Sequence, residues 1–413
     1  STSVSVRGGI VEETERSEGD DLGLRVFVGR KQAIVSTNDV DPAGFDGVAE
    51  RAVAMAKVAP NDPYADLAPA EKLATAFPDL DLMDSALPEA SALADAARRG
   101  EDAARGVKGV SKIDQASSAN GLGGVVLVTS NGFSGAYGRT THSVSVVAIA
   151  GEGTGMERDY DWHSAVHLAD LDDPAEIGRS AGERTVARLN PQKMETQTAP
   201  VIFERRAAST LLMHLTGAIN GTSIARGASF LKERMDTPIF SSGITITDTP
   251  DKPRGAASRP FDGEGLPARP LTLVEDGVLK TWLLDLATAR QLDLISNGRA
   301  SRGASSAPSP SSTNVTMSAG TESLEAMMAR LGTGLLVTGF LGRGANLVTG
   351  DYSRGANGFW FENGRIVHPV AEVTIAGHLN EMFMAAVPAS DLVIRGAVNA
   401  PSVHVGEMTI AGR

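Results

Sequence analysis

The chain contains no cysteine. Disulfides, thiolate metal ligands and a cysteine nucleophile are therefore excluded. Long hydrophobic runs are missing too: "LGGVVLV" and "GTGLLVTGFLG" are strand-sized and glycine-rich, well short of the ~20 apolar residues of a membrane span. No basic stretch followed by an apolar core opens the sequence. No secretory signal is read, a cytoplasmic location is the expectation, and the start at serine leaves room for residues upstream. Positive charge is scarce, with 38 Lys and Arg against 50 Asp and Glu and a formal net charge of -12. That balance argues against nucleic acid, whose nonspecific affinity comes from Lys and Arg neutralising phosphates. Phosphate-binding loops are lacking as well. "GTGLLVTG" has no third glycine at the required place, and "GRGANLVTG" has no Lys followed by Ser or Thr. "NGFSGAYG" breaks the spacing that presents a serine nucleophile on an elbow and reads as a β-turn.

What remains is an ordinary globular composition, 42% hydrophobic and 21% charged over 413 residues, enough for two domains. The first forty residues alternate polar and apolar in short bursts and predict an antiparallel meander. "DVDPAGFDGVAERAVAMAKVA" and "LPEASALADAARRGEDAARG" predict helices, and "LGGVVLVTSNGFSGAYGRTTHSVSVVAIAGEG" two strands around a turn. "NPQKMETQTAP" is polar, proline-bounded and aperiodic, and marks a boundary between an N-terminal α+β domain, 1–190, and a C-terminal β-rich domain, 195–413. The fold class is thus α+β. In the second half "EDG" and "ENG" lie between alternating apolar segments as hairpin turns do. "RGAN" occurs at 343–346 and 354–357 and reads as two turns. Residues 298–314, rich in Ser, Gly and Pro, read as a flexible loop or a lid.

"HSAVH", with His163 and His167 four apart, invites a metal reading, but the flanking residues alternate with period two. On a strand the two histidines lie roughly 13 Å apart, too far for one ion. "LLMHLTGAINGTSIARG", residues 211–227, has Ala208, Leu211, Leu212, Leu215, Ala218 and Ile219 at helical spacing, with His214 at the edge of the stripe. "TGDYSRGANGFWFENG" places Asp351, Tyr352, Ser353 and Arg354 before Gly355 and Gly358 and an aromatic run. It reads either as a glycine-bordered strand that accepts an added peptide strand or as a tight loop in which Asp351 and Arg354 pair.

This last stretch, together with "RPFDGEGLPARPLTLVEDGVLKTWLLDLATARQLDL", "VAEVTIAGHLNEMF" and "GEMTIAG", resembles the PmbA/TldE family, the "modulators of DNA gyrase", over nearly the whole chain. The resemblance implies a fold shared with the TldD family. It also implies a heterodimeric peptidase acting on small or unfolded polypeptides such as microcin precursors and antitoxins. TldD carries zinc through an H-E-x-x-x-H signature and a later cysteine. In this sequence those six positions fall on Met213, His214, Leu215, Thr216, Gly217 and Ala218; a shift by one residue does not restore the signature. The resemblance therefore implies a subunit with no catalytic residue, metal or cofactor of its own, zinc belonging to a TldD-like partner. Asp351, Tyr352, Ser353, Arg354, Gly355 and Gly358 are its candidate substrate or partner contacts, and a homodimer is an option when the partner is absent. The alternatives are a stand-alone protein-binding regulator of gyrase or of a toxin–antitoxin pair, and an autonomous hydrolase, for which no catalytic set is found.

Overall fold

The computed structural model describes residues 1–412. In the first part of the chain β1 (Thr2–Arg7) and β2 (Ile10–Arg16) form a hairpin, and β3 (Leu22–Val28) and β4 (Lys31–Thr37) form another. The two hairpins do not join into one meander. β3 and β4 make a separate two-stranded unit covered by α1 (Phe45–Val58), whereas β1 pairs with β5 (Val110–Val128). The reason is non-local: Thr2–Val6 finds its second neighbour more than a hundred residues later. β5, β6 (Ser134–Ala150) and β7 (Glu157–Ala165) complete a sheet of order β2-β1-β5-β6-β7. α2 (Ala90–Arg105) and α3 (Pro174–Ala187) cover it and pack so closely that a Cβ on Gly178 would strike the backbone of Gly100.

The second part begins with β8 (Gln197–Phe203), α4 (Arg205–Ala218) and α5 (Gly221–Ala225). Short strands follow: β9 (Ile246–Asp248), β10 (Leu271–Glu275) and β11 (Val278–Leu279). Asp276 and Gly277 between β10 and β11 both have positive φ, 47° and 80°, as a type I′ turn demands. After α6 (Leu286–Gln291), residues 298–314 carry the two-residue strands β12 (Ala300–Ser301) and β13 (Ser309–Pro310), which pair with each other. The expected flexible loop is therefore corrected to an anchored segment. Arg299 is fully buried and donates from Nε to Asp248 at 2.6 Å, and Thr313 also bonds Asp248.

The chain continues through β14 (Val315–Met317), α7 (Leu324–Leu331), β15 (Thr333–Leu341), β16 (Asp351–Glu362), β17 (Arg365–His378), α8 (Leu379–Met384), β18 (Val387–Pro388), β19 (Val398–Asn399) and β20 (Val403–Ala411). The large sheet runs β17-β16-β15-β8-β20-β18, and a further β17–β20 pairing closes it on itself. Asn363 and Gly364, at φ 50° and 78°, turn β16 into β17. The first "RGAN" lies in the β15–β16 connection, but the second lies inside β16, so only one of the pair is a turn. The main core, with Val201, Phe203, Leu211, Leu215, Trp360 and Ile375, fills one face of this sheet under α4; a smaller one with Met327 and Phe361 lies under α7.

Charge pairs join the two parts. Arg206 donates to Asp159 at 3.1 Å and lies over the Tyr160 ring. Arg395 binds Asp161 and Asp172, Arg254 binds Asp81 and Asp170, and Arg290 donates to the carbonyls of Tyr64 and Leu67.

Candidate functional site

α4 begins where Glu204 caps it, its carboxylate accepting from the Arg206 N–H at 3.0 Å. Its apolar stripe buries Ala207, Ala208, Leu211, Leu212, Leu215 and Ala218 against the sheet. Ala218 and Met213 therefore go opposite ways: Ala218 is fully buried, and Met213 is 58% exposed. His214 lies between them, its ring edge-on to Tyr352 with 5.9 Å between centroids. Neither His214 Nε2 nor Tyr352 Oη has a hydrogen-bond partner in the protein, and both atoms are buried. Burial, reinforced by the nearby Arg354 charge, lowers the His214 pKa to about 4. It is neutral at physiological pH. Burial also pushes the Tyr352 phenol up to about 12, against the opposing influence of Arg354.

Arg354 is held in place by two contacts. Its Nε donates to Gly342 O at 3.0 Å, and its guanidinium lies 4.3 Å from the Phe340 ring centroid. Asp351 does not pair with it; Asp351 accepts from Thr349 Oγ1 at 2.6 Å instead. Tyr352 and Arg354 face α4, whereas Asp351 and Ser353 are exposed and alternate to the other face of β16. The six candidate contacts are thus not gathered into one surface.

Nor is their strand an edge. β16 pairs along its length with β17, and its other side is taken by β15 from Gly355 onward and by the connection at Gly344 and Ala345 opposite Ser353 and Tyr352. No side is left for an added peptide strand, which corrects that expectation for Gly355 and Gly358. Their backbones have no positive φ. The need for glycine is spatial: a Cβ on Gly358 would overlap Leu336 O, and one on Gly355 would lie 3.1 Å from Leu341 Cβ.

By the resemblance, the zinc signature of TldD would fall on α4, and the residues there do not fit the ion. The helix offers one imidazole, facing a phenol and a guanidinium rather than carboxylates, and Ala218 has no donor atom. Zinc in a catalytic site takes about three protein ligands and a water. Among the described residues no group of three His, Asp or Glu is placed to hold a metal. His163 and His167 go to separate partners: His163 Nδ1 accepts from the Asp172 N–H at 3.0 Å, and His167 Nε2 lies 2.9 Å from Asp81 O.

Two features escaped the sequence. A cleft of ≈ 510 Å³ lies between α3 and the start of β17. A buried acid pair, Asp262 and Glu264, stands in "FDGEG". Asp262 accepts from the N–H groups of Glu264, Leu266 and Ala300 at 2.9 to 3.0 Å, and Glu264 accepts from the Leu286 N–H at 2.8 Å. Burial first, and then the Asp262 charge, pushes the Glu264 carboxyl up to about 8.

The scaffold is α+β, with a sheet closed on itself and α4, which carries one imidazole and no carboxylate, laid across it. The PmbA/TldA metallopeptidase domain 1, central domain and C-terminal domain match residues 1–56, 68–189 and 196–412. The chain is 37% identical to the metalloprotease PmbA of Escherichia coli, covering 100% of this chain and 90% of that protein. It is 34% identical to the PmbA homologue of Haemophilus influenzae, over 99% and 90%. A crystal structure described as a modulator of DNA gyrase from Bacteroides thetaiotaomicron superposes with a TM-score of 0.91 at 25% identity, covering 100% and 92%. TldE from Thermococcus kodakarensis does so at 0.88 and 20%, covering 100% and 94%, and shares the fold. The chain belongs to the PmbA/TldD metallopeptidase family. No helix among the described residues is long and apolar enough to cross a membrane.

Proposed function

We propose that this chain is the non-catalytic subunit of a TldD/TldE-type heteromeric zinc metallopeptidase that processes small or unfolded polypeptides, contributing substrate binding and partner stabilisation. The observation that carries the reading is the state of α4. The helix has a cap and an apolar stripe, yet presents Met213 to solvent, a neutral His214 to Tyr352 and Arg354, and Ala218 to the core. A family helix maintained without metal donors is what a structural partner retains, since its packing is still needed to build the shared fold. Zinc would then be held by the TldD-like partner, where it would polarise the scissile carbonyl and activate water. This chain's part would be to bind and position.

The test is reconstitution. Mixed with a TldD-type candidate from the same source, the chain should co-elute as a heteromer and raise cleavage of an unfolded polypeptide well above that of either protein alone. A chain that never co-elutes, and leaves the candidate's turnover unchanged, would turn the reading toward the stand-alone regulator, one solved neighbour being described as a modulator of DNA gyrase. Cleavage by this chain alone would turn it toward an autonomous hydrolase.

A further inference from the structure

Strand β17 has an open side at its start. β16 pairs with one flank of Ile366 and His368, and on the other flank β20 reaches only Thr374–Ala376. Between those limits one residue of the linker before β8 uses the free flank: the Gln192 N–H donates to Pro369 O at 2.9 Å, in a parallel bridge with Val370. Among the described residues no backbone group outside β16 pairs with Arg365–His368. Ile366 and Val367 on this stretch are 50% and 54% exposed, an apolar pair beside unpaired main-chain groups. Sheet edges of that kind recruit strands, and just beyond it Gln192 pairs with the same flank through one isolated bridge.

The ≈ 510 Å³ cleft opens alongside. Phe359, Ile366, Val367 and Pro369 line one side, and Glu183 and Arg184 of α3 the other. The Thr338 hydroxyl also lines it and has no protein partner. The cleft lies between two domains, a common place for ligand sites. Its volume suits one or two side chains. The charges on its rim are unequal in their commitments: Arg206 is bound to Asp159 and Arg184 lies 3.9 Å from Glu204, while no cation of the described residues is within ion-pair distance of Glu183. An open edge of four residues is far too small to hold a second copy of the chain, since stable interfaces bury roughly 1,200 Å² or more.

Resting on the proposed function for the class of ligand, we infer that this edge and cleft seat an extended polypeptide segment carrying a large apolar residue beside a basic one. Its main chain pairs with Arg365–His368, the apolar side chain enters against Phe359 and Ile366, and the basic group meets Glu183. Main-chain pairing accounts for tolerance of sequence, and the cleft supplies a modest preference. The strand-addition role excluded for β16 falls on its neighbour instead.

The probe is a fluorescein-labelled ten-residue peptide of serine, lysine and leucine, titrated by anisotropy against the full chain with hydrogen exchange read in parallel. Wild type should bind it and gain protection at residues 365–368. Ile366→Asp should weaken binding about tenfold, the loss expected when a buried anchor worth about 1.4 kcal/mol is removed. A peptide N-methylated at alternate residues should weaken by a similar factor, and Glu183→Gln should flatten the salt dependence. No binding by wild type, binding insensitive to N-methylation, or protection away from β17 would overturn the inference. Binding by a chain that fails to assemble with a TldD-type partner would support the seat while removing the proposed function. Assembly and cleavage without protection at 365–368 would do the reverse.

Discussion

Replacing Glu264 by glutamine tests whether the acid pair of "FDGEG" is a true interior group. The side chain is 8% exposed and has the Leu286 N–H as a bonded partner. Its pKa rises from 4.5 to about 8, so the folded protein holds this proton more tightly than the unfolded chain does. The stability it contributes is complete below about pH 4.5 and is lost as pH rises toward 8. Each tenfold change in proton affinity is worth about 1.4 kcal/mol, so the wild type should give up about 3 kcal/mol by pH 7 and about 4 kcal/mol by pH 8, levelling off at about 5 kcal/mol above that. Glutamine keeps an acceptor for Leu286 and has no charge to desolvate. Urea unfolding between pH 5 and 9 should therefore show Glu264→Gln gaining on wild type steadily with pH, and hydrogen exchange should place the gain around Phe261–Leu286. A difference that stays within about 0.5 kcal/mol across that range, the usual scatter of surface substitutions, would refute the assignment of Glu264 as a buried, protonated acid.

Gly358→Ala should cost about 3 kcal/mol, because its Cβ overlaps Leu336 O and strains the β15–β16 ladder, while Gly355→Ala, facing Leu341 at 3.1 Å, should cost about 1 kcal/mol. Denaturant midpoints followed by tryptophan fluorescence separate the two; equal costs would contradict the geometry. The chain alone should retain no stoichiometric zinc after dialysis against chelator, and one tightly held zinc per chain by elemental analysis would contradict the reading of α4. His214→Phe should leave turnover of an assembled complex near wild type and make stability less acid-sensitive. A His held neutral with a pKa near 4 loses stability as pH falls from 6.5, where the unfolded histidine takes up its proton. An unchanged acid limb, or a large loss of turnover, would mean that the imidazole has another role.

Local order was legible where local rules govern it. The 3.6-residue spacing from Ala208 to Ile219 gave α4, the Asp276-Gly277 and Asn363-Gly364 pairs gave both type I′ turns, and period two around His163 gave β7. What failed to show was which segments meet. Nothing in "GDYSRGANG" announces that β15 and β17 take both its flanks, because those partners are specified by the whole closed sheet. The serine-rich run 298–314 looks unstructured by composition, yet its order comes from Arg299 and Thr313 finding Asp248 some fifty or more residues away. Glu264 looks like a surface residue until the Leu286 N–H bonds its carboxyl and Asp262 stands beside it. Of the candidate site, the make-up of α4, one imidazole and no carboxylate, was readable from residue types alone. The cleft, formed by α3 and β17 from opposite halves of the chain, was not.

The anchored segment 298–314 has a consequence for how the protein is made. Its tip reaches back to β3, where Gly23 lies so flat against Ala304 that a Cβ would overlap the Ala304 carbonyl. The small unit of β3, β4 and α1 leaves the ribosome early, with Leu24, Val26 and Val35 packed on Val48 and Ala52, but the surface that Gly23 docks against is not synthesised until about 280 residues later. At the ~5–20 residues per second of synthesis, that unit waits tens of seconds with one face unfinished. The order of folding is therefore not the order of the chain. A nascent fragment ending before residue 304 should expose β3 to protease, and the protection should arrive in one step once the 298–314 segment has emerged.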